Sequence, residues 1–195
     1  FEMPIKKGES IVFSAAVSSI KPSVLKKLFD EEVAERNPRD NFFHCLVNAA
    51  HQFHIRKKND DRYLLAGYPW FKCRARDTFI SLPGLTLSIE EQDYFELVMK
   101  TAEKGLREFM AGKPLTVQIA EIEQPDVLLW AIWAIQQYAK EAGLEKCRDM
   151  YGQLVKDIVK FIESDKHNNL QLRDNGLLYS NGKDKAVTWM NSTAN

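Results

Sequence analysis

With 195 residues, 45% of them hydrophobic, the chain is long enough to bury one substantial core, as a single domain or as part of a larger one. Its 27 basic and 27 acidic side chains cancel, so no long-range field draws phosphate backbones or anionic headgroups, and a neutral polymer is the better partner than nucleic acid or a membrane. The longest apolar run, Val127 to Ile135, falls well short of the ~20 residues that span a bilayer. Cys45, Cys73 and Cys147 are far apart and form no CxxC pair, which predicts free thiols in a reducing, cytoplasmic setting and no cysteine-held metal. The sequence opens at Phe1 and stops at Asn195 without a helix ending, which reads as a piece cut from a longer protein.

In chain order, Ser10 to Val17 is a short β-branched and aromatic run, expected to be a strand left from a preceding β region at residues 1–20. From Lys21 the period changes, and residues 21–195 are expected to form one helical domain. Val24, Leu25, Leu28, Phe29 and Val33, and then Phe42, Phe43, Leu46, Ala49, Ala50 and Phe53, recur at threes and fours on two amphipathic helices broken at Asn37-Pro38. Arg56 to Arg62 is a charged loop. Ser88 with Glu91 matches a capping box, and Tyr94, Val98, Ala102, Leu106 and Phe109 keep one apolar face until Gly112 and Pro114.

Residues Asp126 to Ala142 predict a helix apolar almost all round, as for one enclosed by others, closed by Gly143. The next, Leu144 to Ser164, has a single stripe of Leu144, Cys147, Tyr151, Leu154, Val155, Ile158 and Phe161. Enclosed and half-exposed helices alternate in a double ring, and also in a bundle with a central helix. The polar run His167 to Asp174, with Gly176 and Gly182, predicts a long loop ending at Val187-Thr188-Trp189-Met190.

The chemistry concentrates in Ala66 to Leu85, AGYPWFKCRARDTFISLPGL. Asp77 has two readings: a helix cap, with Trp70 and Phe71 filling a core, or a carboxylate that a turn crowded with aromatics presents to a sugar. Aromatic faces stack on pyranose C–H groups, and Arg and Asp bind hydroxyls through charge-assisted bonds. Glycoside hydrolysis needs two carboxyl groups, and an adjacent Arg76 opposes the acid role by favouring the charged form.

Gly67-Tyr68-Pro69-Trp70-Phe71, Arg76-Asp77-Thr78 and Leu82-Pro83-Gly84-Leu85, in that order and spacing, resemble the hallmark of the glycogen-debranching enzyme family in its C-terminal amylo-α-1,6-glucosidase region. Asp126 with Leu129-Trp130 resembles the family's D-x-x-L-W helix start, Thr188-Trp189-Met190 its TWMD group, and Asn48-Ala49-Ala50 with Phe53 the helix before the hallmark. The resemblance covers roughly residues 42–190. It implies an all-α fold, part of an (α/α) toroid of six helical hairpins, and inverting hydrolysis of α-1,6 branch points in a glycogen-like glucan, without metal or organic cofactor. It makes Asp77 the general acid, with the base beyond Asn195, and Trp70, Arg76, Asp126 and Trp189 substrate-binding residues.

The chain also departs from the pattern. Arg74 and Ala75 replace the hallmark Trp and Gly, Asn191 stands where TWMD has a carboxylate, and Asn175 where the family has DGLL. Asn cannot ionise, so any acid, base or charged role at position 191 is lost. A non-catalytic glycan-binding or scaffold relative is therefore the second reading. An incomplete ring predicts apolar helix surface left open and self-association of the chain. His44, His51 and His54 form no HxxxH pair and are expected to be solvated or packed rather than metal ligands. Glu121, Glu123 and Asp126 are either a charged loop at a helix N-terminus or sugar contacts. Trp130 and Trp133 are expected in the core, and Asn191-Ser192-Thr193 matches a glycosylation pattern by chance.

Overall fold

The computed structural model describes residues 2–57, 59–180 and 187–190; Gly182, Asn191 and the pattern Asn191-Ser192-Thr193 lie outside them. The chain divides into two compact units, residues 1–49 and 50–195. The expected strand at Ser10 to Val17 is extended or bent chain without ladder pairing. Its side chains are mostly exposed, so the β-branched run has no sheet face to bury and its propensity decides nothing.

In the first unit, a 3-10 turn at Pro22–Val24 leads into α1, Leu25–Ala34, with proline at the start where its missing N–H costs nothing. The period-3.6 stripe is real, but no side chain of α1 is buried. Helix α2, Phe42–His51, begins where the Asn41 side chain accepts from the His44 N–H at 2.8 Å. It runs across the division between the units. It corrects much of the expected apolar face: Ala50 is buried as expected, but Phe42, Phe43 and Leu46 are exposed, whereas Val47 and Asn48 are buried. Asn48 is tolerated there because its amide donates to the Asn37 carbonyl at 2.8 Å.

The second unit holds the core. The charged segment expected as a loop is a hairpin: β1, His54–Arg56, pairs antiparallel with β2, Arg62–Leu64. Buried Tyr63 and Leu64 anchor it, and the Arg62 N–H donates to Thr101 Oγ1 at 3.0 Å. Next comes α3, Ala75–Leu85, with Pro83 in its last turn. Helix α4, Gln92–Met110, follows a 3-10 turn at Leu87–Ile89 and buries Phe95, Val98, Met99, Thr101, Ala102, Gly105 and Leu106. The capping box does not form: Ser88 sits inside the 3-10 turn and no side chain caps α4. The C-terminal stop is as expected, with Gly112 at φ +65°.

Helices α5, Val127–Ala142, and α6, Leu144–Glu163, have the predicted bounds within a residue. Helix α5 buries Val127, Leu128, Ala131, Ala134, Ile135 and Tyr138. It is not enclosed all round, since Leu129 is exposed and Trp130 and Trp133 are half-buried. Helix α6 buries Cys147, Tyr151, Leu154, Ile158 and Ile162 and turns its lysines outward. The Phe95 and Tyr138 rings stack at 4.8 Å and Tyr151 meets both edge-on, which joins α4, α5 and α6. The loop expected after Asp165 contains a second hairpin, β3, Leu170–Leu172, with β4, Leu178–Ser180. Its turn has Gly176 at φ +80°, and the Asn175 side chain accepts from the Leu177 N–H at 3.0 Å. The fold is thus mostly helical, with six α-helices and two small hairpins among the described residues, and not all-α as expected. No helix among those residues is long and apolar enough to cross a membrane.

Candidate functional site at the start of helix α3

The tightest helix pairing is between α3 and α5, and it begins before either helix does. The chain at Cys73–Ala75 runs parallel to Ala120: the Ala120 N–H donates to the Cys73 carbonyl at 2.8 Å and the Ala75 N–H to the Ala120 carbonyl at 2.9 Å. Arg74 and Glu121 close the same junction as an ion pair at 2.9 Å. Both helices therefore start at one end of the unit.

Arg76, in the first turn of α3, reaches Asp126, the residue that opens α5. Its Nε donates to both Asp126 oxygens at 2.8 and 3.0 Å, and its Nη2 to Oδ1 at 2.8 Å and to Gln124 Oε1 at 2.6 Å. Trp130 Nε1 donates to Asp126 Oδ2 at 3.0 Å. The pair is nearly enclosed, with side-chain exposures of 7% and 14%. A guanidinium fork on a carboxylate is the geometry that makes such burial tolerable. Because the Asp126 carboxylate is turned to Arg76 and Trp130, it does not cap its own helix.

Asp77 is next in sequence but faces other neighbours. It is the third residue of α3 and makes no capping bond, so the capping reading fails, although a carboxylate in the first turn still suits the helix dipole. It is half-buried and lines a cavity of about 280 Å3 with Phe53, Leu65, Ala66, Ile80, Ser81 and Leu85. Arg76 and Asp126 do not line that cavity.

The aromatic turn before α3 is closed on itself. The Phe71 N–H donates to the Gly67 carbonyl at 3.2 Å and the Ala66 N–H to the Lys72 carbonyl at 3.1 Å. A Cβ at Gly67 would meet Phe71 Cδ2 at 3.0 Å, which explains the glycine. The Tyr68–Pro69 bond is cis, and the Tyr68 hydroxyl donates to the Gln52 carbonyl. The Arg74 guanidinium lies 5.6 Å from the Phe71 ring centre. Trp70 fills no core: it is 84% exposed. Trp189 is also exposed.

Burial pushes up the Cys73 thiol, against the opposing field of Lys57, so it is a poor nucleophile. Sequence reasoning missed Gln124 as the second acceptor of Arg76, although its place two residues before Asp126 is a usable signal. It also missed Glu121 as the counter-charge of Arg74, which no local pattern reveals.

The elements and the site together define a helical domain in which two helices begin side by side, with a carboxylate and an exposed tryptophan at that end. A family model described as amylo-alpha-1,6-glucosidase matches residues 48–195. The chain belongs to this family, the C-terminal region of glycogen debranching enzymes, and carries a glycosidase-related domain. No curated protein and no solved structure gave a significant match.

Proposed function

We propose that this domain is part of a glycoside hydrolase that cleaves α-1,6-glucosidic branch points of a glycogen-like glucan by inversion. The observation that carries the reading is the family match over residues 48–195, with Asp77 lining a cavity at the start of α3. Asp77 is the proton donor to the departing glycosidic oxygen. The base is a second carboxylate roughly 6.5 to 9.5 Å away across the sugar, with the attacking water between them; in this reading it comes from helices after position 195. Trp70, exposed on the turn before α3, and Trp189 stack on pyranose rings. Arg76 and Asp126 serve the sugar site by holding the α3 and α5 starts in register. In the same reading α3 to α6 are two consecutive hairpins of the six-hairpin toroid. The contact of α3 with α5, whose starts are joined by Arg76 and Asp126, and the half-exposed α6 packed on α5 support that arrangement.

The test is glucose release from a branched limit dextrin by the full-length protein. Asp77→Asn is expected to lower turnover by about 10²- to 10⁴-fold, the usual worth of a general acid. Unchanged turnover removes Asp77 from the mechanism.

A second reading, a glycan-binding relative without catalysis, is favoured by Arg74 and Asn175 standing at family positions of different chemistry. Arg74 is occupied with Glu121, and Asn175 with its own turn. Saturable dextrin binding with no glucose released by the wild-type protein would select it.

A further inference from the structure

The histidines that sequence spacing gave no metal role meet a carboxylate forty residues further on. His51 ends α2, His54 begins β1 and Glu91 immediately precedes α4. His51 Nε2 lies 2.5 Å from Glu91 Oε1, and His54 Nδ1 lies 3.7 Å from Glu91 Oε2. One donor atom from each of the three residues falls within 4.8 Å of the other two. None of the three lines the Asp77 cavity.

Two further contacts fix the donors. His54 Nε2 is 2.9 Å from the Leu85 carbonyl. A carbonyl only accepts, so Nε2 carries the proton and the Nδ1 lone pair of the neutral ring faces Glu91. The His54 ring also stacks on Tyr94 at 3.9 Å, within 11° of parallel. A ring whose outer N–H is held by a backbone carbonyl, with the other nitrogen turned to a carboxylate, is the arrangement of a metal-bound histidine. Bonds of about 2.0 to 2.2 Å to nitrogen and oxygen put the donors of a tetrahedral site roughly 3.4 Å apart; the 3.7 Å between His54 Nδ1 and Glu91 is close to that, and the 2.5 Å His51–Glu91 contact is a hydrogen bond that opens when an ion takes the proton's place. His51 and Glu91 keep side-chain exposures of 40% and 32%, so water can complete the shell and Glu91 can adjust.

We propose that His51 Nε2, His54 Nδ1 and the Glu91 carboxylate form a binding site for a divalent transition-metal ion of the zinc class, with water as the remaining ligand. Imidazole with one carboxylate suits such ions, whereas magnesium and calcium prefer oxygen throughout. The site stands independently of the glycosidase reading.

The test is calorimetric titration of the protein with Zn2+ at pH 7.5, with Mg2+ as the comparison ion and the thermal midpoint as a second readout. One equivalent of Zn2+ is expected to bind and raise the midpoint by mass action, with no effect of Mg2+. His51→Ala and Glu91→Gln alter partly exposed side chains, so both variants should fold, as far-ultraviolet dichroism will check. Each is expected to weaken Zn2+ by at least about 100-fold, the upper range for disturbing even an outer-shell partner. Absence of 1:1 binding by the wild-type protein overturns the proposal. So does Zn2+ binding that survives both variants, or that is lost in Cys45→Ser instead.

Discussion

Asp77 and Asp126 both stand at helix starts, yet their surroundings separate the work they do. Asp126 is held by three hydrogen bonds from Arg76 and one from Trp130 in a nearly enclosed setting. Asp126→Asn neutralises a carboxylate that takes three bonds from Arg76 in a nearly enclosed setting, and we expect a loss of about 1.5 to 3 kcal/mol in urea unfolding. Asp77 makes no capping bond, and Asp77→Asn is expected to stay within about 1 kcal/mol because only a dipole interaction is lost. The same unfolding series checks both, and a large loss at Asp77 would give it a structural role. On the proposed function, activity assays are expected to rank the two sites in the opposite order, with Asp77→Asn the more damaging per kcal/mol of stability lost.

At the scale of elements, two helical glycines make opposite predictions. In α4 a Cβ at Gly105 would lie 2.7 Å from Val117 Cγ2 and 3.1 Å from Ile122 Cδ1, both on buried residues that cannot retreat. Gly105→Ala should destabilise by about 1 to 2 kcal/mol, overpacking outweighing the gain in helix propensity. In α6 the nearest atom to a Cβ at Gly152 is Arg148 Cγ at 3.4 Å, so Gly152→Ala should stabilise by about 0.4 to 1 kcal/mol through the unfolded chain. Thermal melts of the two variants check the signs. His167, between α6 and β3, is buried and edge-on to Phe109 and Phe161. Burial lowers its pKa, against Gln124 and Glu123, which raise it. The unfolded chain therefore binds the proton more readily, and the stability from His167 is present above pH about 6.5 and is lost as pH falls through the lower folded value. Urea midpoints at pH 7.5 and 5.5 should drop on acidification, and the drop should shrink in His167→Gln.

For the whole molecule, burial is unevenly shared. No side chain of α1 is buried, whereas α5 buries six. Local opening follows apolar burial, so hydrogen exchange should protect the amides of α5 far longer than those of α1; equal protection would refute this. The sequence by itself determined α4, α5 and α6 to within a few residues, because a 3.6-residue apolar period and the breaks at Gly112 and Gly143 are local properties of the chain. It also carried the family, through Gly67–Phe71, Arg76–Thr78 and Leu82–Leu85. Both hairpins escaped it, since three-residue strands among charged or polar residues carry too little alternation to register. Nor did local pattern reveal which face of α2 is buried, for its aromatic residues proclaim a face that the packing leaves exposed. Tertiary structure alone decided that Asp126 belongs to Arg76, fifty residues earlier, and that Glu91 belongs to His51 and His54. A charge finds its partner by the folding of helices against one another, and sequence separation holds no record of that distance.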